Sequence, residues 1–167
     1  ACACACSGGG FAGFAPPERL VELATNVDDC TGEALADAVA ALLAAGARDA
    51  WITHAVMKKG RPAAVVQALC APGEAGQLAR VLVRATGTLG VRVREVTRVA
   101  LPRRHEVAQT AYGDVRVKAA GIEGAEVTSV KPERDDVAQA AAAAGVAAAV
   151  VEAAARRDVG VRVGDPW

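Results

Sequence analysis

Three cations crowd the stretch HAVMKKGRP at positions 54–62. Lys58, Lys59 and Arg61 repel one another unless an anion lies among them. A phosphate chain suits this mixture, because lysine offers a compact charge and arginine a planar fork. Strand alternation directs Lys58 and Lys59 to opposite faces, so one of them is expected to serve a ligand together with Arg61. A solvated hairpin tip is the alternative.

Two adjacent carboxylates, Asp28 and Asp29, stand between a predicted strand and a predicted helix. Such a pair can bind Mg²⁺ or Mn²⁺ together with water. The alternative is that Asp29 helps to cap the helix while Asp28 faces solvent, and Thr31 is a further candidate for the cap. Taken alone, the pattern favours capping.

A Gly/Thr-rich turn, TGTLGVR, covers positions 86–92. Its amides and the hydroxyls of Thr86 and Thr88 could cradle an anion, with Arg92 closing over it, but an ordinary turn is the alternative. The Gly-Lys-Ser/Thr ending of a Walker loop is missing. Arg103 and Arg104, followed by His105, form the densest cationic stretch, which on its own is typical of a solvated loop.

Charge and composition exclude some classes of function. Acids and bases balance at 19 each, so no global field draws the chain to nucleic acid or to a membrane. The local balance differs: Glu18 to Asp37 holds six acids and one base, and Arg48 to Arg104 holds eleven bases and three acids. This arrangement suits a bound metal and phosphate, or ordinary surface pairing. With two Trp, two Phe and one Tyr, the chain lacks the stacking aromatics of an RNA-binding sheet.

The N-terminal stretch and the apolar pattern bear on location. No apolar run approaches the ~20 residues that span a bilayer. The first residues lack the basic start and apolar core of a signal peptide, so we expect a cytoplasmic, reducing location. Residues 1–17 carry no charge and predict a flexible arm. Its Cys2, Cys4 and Cys6 would share one face if extended, with soft-metal binding as a minor alternative.

The elements that must position these residues follow the order β-α-β-β-α-β, which predicts an α+β protein with a ferredoxin-like core. Val96 falls out of phase in the last strand, and a bulge or a strong twist near Glu95 would repair the alternation. Beyond the core, the sequence predicts a β-hairpin over 106–118 turning at Gly113 and Asp114, a strand over 126–130, and an alanine-rich helix pair broken at Gly145.

Five motifs in chain order form a recognisable set: TNVDD (25–29), MKKGRP (57–62), TLGVR (88–92), YGDVRVK (112–118) and KPERDD (131–136). The set resembles the C-terminal domain of the LarC family, the nickel-insertion protein of the lactate racemase cofactor pathway. The resemblance implies a CTP-dependent nickel insertase, a nickel chelatase of the lyase class. Such an enzyme loads Ni²⁺ into pyridinium-3,5-bisthiocarboxylic acid mononucleotide to make the nickel-pincer cofactor.

The resemblance also implies binding partners and sites. It implies that this domain binds CTP with Mn²⁺ or Mg²⁺ and forms a homo-oligomer. The family's N-terminal nickel-insertase domain would be either separately encoded or outside a chain that is a fragment. Asp28 or Asp29 would then meet the divalent cation, directly or through water. The implied nucleotide-binding residues are Lys58, Lys59, Arg61, Thr86, Thr88, Arg92, Arg103, Arg104, Lys118 and Lys131.

We therefore expect a flexible arm at 1–17, a nucleotide-binding α+β domain at 18–158 and a C-terminal tail at 159–167. A function from another class remains an alternative: a non-catalytic regulatory or oligomerisation module. The ferredoxin-like fold serves many unrelated functions and does not by itself dictate catalysis.

Overall fold

The structure is a computed structural model that describes residues 10–167. The cysteines considered as a soft-metal site, Cys2, Cys4 and Cys6, lie outside the described residues. Contacts divide the chain into a first unit, Pro17–Arg98, and a second unit formed by residues 10–16 with Val99–Trp167. Each unit has its own sheet and its own apolar core.

The first unit confirms the predicted ferredoxin-like core. Its four strands are antiparallel and lie in the order β2-β3-β1-β4. In chain order the elements are β1 (Glu18–Val27), α1 (Gly32–Ala44), β2 (Asp49–Met57), β3 (Arg61–Cys70), α2 (Ala75–Thr86) and β4 (Arg92–Arg98).

The core of the first unit lies between the sheet and its two helices. Val21, Leu23 and Val27, alternate residues of β1, are buried against Leu42 of α1 and Leu82 of α2. Fully burying an aliphatic side chain of this size contributes about 1.5–3 kcal/mol. The opposite face of the sheet carries no helix of this unit, although Leu20 and Ala24 on that face are buried.

Local signals set the ends of both helices. Thr31 Oγ1 accepts a hydrogen bond from the Ala34 amide at 3.2 Å, which caps α1. Gly87 follows α2 in the left-handed region, with φ of 66°, so the chain turns there without the strain that a side chain would bring.

Of the two alternatives considered near Glu95, the bulge is wrong. β4 pairs with β1 in unbroken register from Arg98 to Arg92. The alternation misleads because β4 is an edge strand: Val93 on its helix-facing side is 62% exposed, whereas Val96 stands opposite Leu20 on the other face. No single face of β4 is buried, so its apolar residues need not keep one phase.

The second unit confirms the predicted additional hairpin, strand and helix pair. A three-stranded antiparallel sheet, in the order β5-β6-β7, packs on two helices through Val115 and Val117. The elements are β5 (Arg103–Thr110), β6 (Gly113–Gly121), β7 (Val127–Pro132), α3 (Arg134–Ala144) and α4 (Ala148–Asp158). No single helix among residues 10–167 is long and apolar enough to cross a bilayer. Taken together, α3 and α4 are long and apolar enough, but they are bent by 118° at the break between them.

The β5-β6 hairpin turns two residues earlier than predicted. Thr110 pairs with Gly113, which leaves Ala111 and Tyr112 in the turn. Thr110 Oγ1 accepts a hydrogen bond from the Tyr112 amide at 3.0 Å and donates one to the Gly113 carbonyl at 2.7 Å. The threonine hydroxyl thus fixes a turn that we had placed at Gly113 and Asp114.

The chain segments at both ends of the second unit make defined contacts. Within residues 10–16, predicted as part of a flexible arm, the Gly13 carbonyl accepts a hydrogen bond from the Glu123 amide at 2.9 Å. Within residues 159–167, predicted as a tail, Val159 and Val161 are buried in the core of this unit. Apolar residues in a short polar segment explain why the last segment packs instead of extending into solvent.

Gly121 provides a stability test of that packing. A Cβ atom at this position would overlap the Trp167 ring and lie 2.7 Å from the Glu126 carbonyl oxygen. We expect Gly121→Ala to lower the free energy of unfolding by about 1–3 kcal/mol, the usual cost of overpacking. Thermal unfolding measures the effect. Gly160→Ala is the matched control, since its Cβ would meet nothing within 4 Å. Equal stability of the two variants would contradict the packing.

Candidate functional site

Three of the sequence motifs meet at one end of the first sheet. Because the strands are antiparallel, the end of β1 lies beside the start of β3 and of β4, as the pairs Val27–Ala64 and Ala24–Arg92 show. The end of β2 lies there too. We use the name loop cluster for the predicted site residues at this end: Asp28, Asp29, Lys58, Lys59, Arg61, Thr86, Thr88 and Arg92.

The two lysines of the loop cluster lie in a turn and not in a strand. Lys58–Gly60 forms a tight turn in which Lys59 and Gly60 both have positive φ, and both lysines are exposed. Strand alternation therefore does not apply, and the assignment of Lys58 and Lys59 to opposite strand faces is wrong. Lys59 has φ of 63°, a left-handed conformation that costs a residue with a side chain about 1–2 kcal/mol. Such strain is concentrated at functional sites.

Asp28 neither caps α1 nor lies free in solvent. Its Oδ2 accepts a hydrogen bond from Arg61 Nη1 at 3.1 Å, while Thr31 caps the helix. Asp29 is exposed. No group of three or more His, Cys, Asp and Glu side chains suited to a metal occurs among residues 10–167. A cation at the two carboxylates would therefore need other oxygens, and Mg²⁺ is commonly bound by one or two carboxylates plus substrate phosphates.

A buried hydroxyl holds the Gly/Thr-rich turn against the sheet. Thr25 of β1 is 1% exposed; its Oγ1 lies 2.6 Å from Thr88 Oγ1 and donates to the Gly90 carbonyl at 2.8 Å. Thr86 Oγ1 donates to the Leu82 carbonyl at 2.8 Å. Both threonines of the turn thus shape its backbone. Thr25 was missed from the sequence, although a polar residue inside an apolar strand is a usable signal.

Arg92 remains available to a ligand. It is exposed at the start of β4, and no carboxylate lies within ion-pair distance of it in the described part of the chain. The loop cluster thus combines one paired guanidinium, Arg61, with three cations that have no acidic partner among residues 10–167, namely Arg92 and the two lysines.

The second unit aligns another set of cations. His105 of β5 stands opposite Lys118 of β6, and Lys118 stands opposite Lys131 of β7. Directly paired residues share one face of a sheet, and neighbouring strands lie about 4.8 Å apart. Arg103 shares this face because it pairs with Ala120. We use the name cationic row for Arg103, His105, Lys118 and Lys131.

The cationic row faces away from the helices. Val117 and Ala119, which flank Lys118, are buried in the core, so Lys118 points to the opposite face. Lys118 Nζ lies 2.8 Å from Glu133 Oε1. The hydrogen bond from Lys118 lowers the pKa of Glu133, with the nearby charges of His105 and Arg116 adding to the effect against burial. One acid thus offsets part of the positive charge.

Arg104 does not belong to the cationic row. It lies on the other face of β5, where its guanidinium stacks 4.6 Å from the Trp167 ring and its Nε donates to Glu106 Oε1 at 3.0 Å. His105 was considered in the sequence only as part of a solvated loop. Alternation along β5 was the signal that could have placed His105 with Arg103 and separated both from Arg104.

Arg116 and Asp136 form a closed ion pair beside the row. Asp136 accepts hydrogen bonds from the Arg116 side chain at 2.8 Å and from its amide at 2.9 Å. These bonds and the charge of Arg116 lower the pKa of Asp136 to about 2, against weak opposition from burial. The same pairing raises the pKa of Arg116. Both partners are thus occupied, and this pair serves stability.

The lowered pKa of Asp136 predicts a dependence of stability on pH. Because the folded pKa is below the unfolded value of 3.8, the pair stabilises the fold fully above about pH 5 and loses this contribution as the pH falls through about 2. Thermal unfolding between pH 2 and 6 should therefore show that acidification lowers the stability of Asp136→Asn less than that of the wild type. Asp114→Asn on the same sheet is the control. Parallel curves for all three proteins would contradict the assignment.

The fold and the clustered cations define the class: a ferredoxin-like α+β protein with an additional sheet and helix pair. A family model described as nickel insertion protein matches residues 13–152, and the chain belongs to this family. A curated relative from Myxococcus xanthus is 42% identical over 138 residues, which is 83% of this chain and 35% of the relative.

Two further comparisons are more specific. The pyridinium-3,5-bisthiocarboxylic acid mononucleotide nickel insertion protein of Nocardioides sp. is 42% identical over 120 residues, 72% of this chain and 30% of that protein. A solved structure with a TM-score of 0.78 and 33% identity covers 86% of this chain and 98% of its own. It is LarC2, the C-terminal domain of a cyclometallase involved in synthesis of the NPN cofactor of lactate racemase, in the apo form.

The chain spans about a third of the length of these two curated relatives, 35% and 30%. The comparisons confirm the resemblance to the LarC family that the motifs predicted. They establish the family and the fold. Nucleotide binding, the divalent cation and the oligomeric state are matters for proposal.

Proposed function

We propose that this chain is the CTP- and divalent-metal-binding part of a nickel insertion protein, which loads Ni²⁺ into pyridinium-3,5-bisthiocarboxylic acid mononucleotide. The observation that carries the proposal is the meeting of three motifs at one sheet end in a chain of this family. Ni²⁺ is a substrate of the reaction. The activity is that of a CTP-dependent nickel chelatase of the lyase class.

The loop cluster is assigned to the triphosphate. Lys58 and Lys59 supply point charges on an exposed turn, and Arg92 supplies a guanidinium without an acidic partner. A bound triphosphate carries three or four negative charges in a small volume, and these would offset the repulsion among the cations of the cluster. Thr25 and Thr88 hold the turn beside Arg92 in position.

The divalent cation is assigned to the carboxylates that follow β1. Asp28 and Asp29 supply two hard oxygen donors, and the phosphates supply others, which fits Mg²⁺ or Mn²⁺. When bound, the cation neutralises phosphate charge and polarises a phosphoryl oxygen. It would compete with Arg61 for Asp28, because that carboxylate already accepts a hydrogen bond from Arg61. The exchange frees the Arg61 guanidinium for the nucleotide.

The cationic row is assigned to nucleotide binding as well. Arg103, Lys118 and Lys131 place three cations on one open face, and only Lys118 has an acidic partner there. Neutral ribose and base contacts do not explain this charge, whereas phosphate does. Arg104 is left with a supporting role, since its guanidinium is held between Trp167 and Glu106.

The remaining assignments complete the proposal. The substrates are CTP, Ni²⁺ and the pyridinium mononucleotide, with neither nucleic acid nor a membrane as partner. The domain forms a homo-oligomer in the cytoplasm and works with a separate N-terminal nickel-insertase domain. The homo-oligomer and the N-terminal domain rest on the resemblance to the LarC family.

Calorimetric titration of the chain with CTP in the presence of Mn²⁺ tests the proposal. We expect saturable binding with CTP that weakens when Mn²⁺ is withheld, since the cation offsets phosphate charge. Absence of heat at millimolar nucleotide would contradict it. That result would favour a non-catalytic regulatory or oligomerisation module, in which the exposed cations contact other protein surfaces.

A further inference from the structure

A recess of about 490 Å³ lies on the face of the first sheet that carries no helix of this unit. Small-molecule sites commonly have volumes of this order, combining an apolar floor with a few polar groups. Its lining includes the small apolar side chains Ala24 and Val65 and the polar side chains Glu22, Gln67, Arg92 and Arg94. Only Arg92 among these was predicted as a site residue.

The strand register explains why the recess exists. Ala24 in the central strand β1 stands opposite Arg92 on one side and Gln67 on the other, and Gln67 stands opposite Trp51 of β2. Directly paired residues share a face, so one small residue lies between two long polar ones. Ala24 therefore leaves a depression that is walled by side chains from three strands.

The charges around the recess have both signs. Arg94 Nη2 donates to Glu22 Oε1 at 2.7 Å. The Glu22 side chain is 19% exposed, whereas that of Arg94 is 71% exposed. Arg92 adds a second guanidinium, and Gln67 accepts a hydrogen bond from Thr53 at 2.9 Å, which fixes its amide. A carboxylate thus lies near the floor, and two guanidinium groups stand at the rim.

We infer that this recess binds the pyridinium mononucleotide: Glu22 lies beside the cationic ring, Ala24 and Val65 contact its face, and Arg92 and Arg94 bind its acidic substituents. A planar ring fits an apolar floor, and a positive ring carrying anionic groups matches one inner carboxylate and two outer guanidinium groups. CTP matches less well, because its ring is neutral. The inference rests on the proposed function, which supplies the substrate class.

The position of Arg92 links this recess to the loop cluster, because Arg92 belongs to both. A nucleotide at the loop cluster and a ring in the recess would then lie on neighbouring parts of one sheet. That arrangement suits an enzyme in which CTP and the pyridinium substrate are used together.

The probe for the test is nicotinic acid mononucleotide, a pyridinium carboxylate with a ribose phosphate, titrated calorimetrically into the full chain. Cytidine monophosphate is the comparison ligand, since it keeps the ribose phosphate but has a neutral ring. We expect Glu22→Gln to lower the affinity for the pyridinium probe about tenfold. The same substitution should lower the affinity for cytidine monophosphate by less than about twofold. We expect Arg94→Gln to weaken the probe about tenfold as well.

Glu95→Gln is the matched control, because Glu95 is an exposed acid on the helix-facing side of β4. Thermal unfolding of each variant confirms that the sheet is intact. No probe binding at millimolar concentration, or equal losses for both ligands in Glu22→Gln, would overturn the inference. Full affinity of Arg94→Gln would do the same.

Titration of CTP with Mn²⁺ into the same variants separates this inference from the proposed function. We expect Glu22→Gln and Arg94→Gln to keep the CTP affinity of the wild type. If the wild type binds the pyridinium probe with the expected variant pattern but does not bind CTP, the nucleotide proposal fails and the recess assignment stands. If CTP binds and the probe does not, the recess assignment fails alone.

Discussion

Replacing Lys118 and Lys131 together by glutamine is expected to lower the affinity for CTP with Mn²⁺ by about 10- to 100-fold. Each lysine is expected to donate a hydrogen bond to phosphate, and hydrogen bonds to charged groups contribute about 1.5–3 kcal/mol. Solvent exposure reduces that figure, so the combined loss falls short of the full sum. Calorimetry of the double variant gives the change directly.

The control for this variant removes the same charge elsewhere. Arg80 and Arg84 are exposed on α2 and make no ion pair with the described residues, so Arg80→Gln with Arg84→Gln changes the net charge equally. We expect this control to bind CTP nearly as the wild type does. Equal losses in both double variants would show a general charge effect and would contradict a site at the cationic row.

Replacing Lys58 by glutamine and Lys59 by asparagine is expected to weaken CTP binding by at least about tenfold without unfolding the first unit. Both side chains are exposed in a tight turn, so they contribute little to the core. Asparagine is chosen at Lys59 because it tolerates the left-handed conformation, φ 63° here, better than most residues. Calorimetry and thermal unfolding measure the two effects.

The matched variant at the turn keeps the charge. Lys58→Arg with Lys59→Arg should retain most of the CTP affinity, because phosphate accepts hydrogen bonds from either cation. If neutralisation leaves CTP binding unchanged, the turn is a solvated hairpin tip, which was the alternative considered from the sequence. If neutralisation unfolds the unit, the lysines serve the fold and not a ligand.

The order of elements was predictable because it depends on local patterns. Alternation and helical periodicity identified the β-α-β-β-α-β core, and Thr31 and Gly87 marked helix ends through their own side-chain and backbone chemistry. Strand direction in that fold also implies that residues after β1 and between β2 and β3 share one end of the sheet. The loop cluster follows from this topology.

The cationic row and the recess depend on register, which local patterns do not give. His105, Lys118 and Lys131 align because three strands pair at those positions. A shift of one residue would send Lys118 into the core, and only the burial of Val117 and Ala119 prevents it. The recess needs a small Ala24 between two long neighbours, which is a property of three strands taken together.

The errors have similar causes. The bulge near Glu95 was inferred from one strand, but an edge strand has no single buried face for alternation to report. The faces assigned to Lys58 and Lys59 assumed a strand where the chain makes a tight turn. Pairing with β1 decided the geometry in the first case, and the turn between β2 and β3 decided it in the second.

Binding of the four nucleoside triphosphates in the presence of Mn²⁺ tests the central claim most directly. If the chain is the nucleotide-binding part of a CTP-dependent nickel insertion protein, CTP should bind at least about tenfold more tightly than ATP, GTP and UTP, because a site that hydrogen-bonds cytosine leaves its polar groups unpaired with any other base. Equal affinities for all four, or no binding by any, would contradict the account.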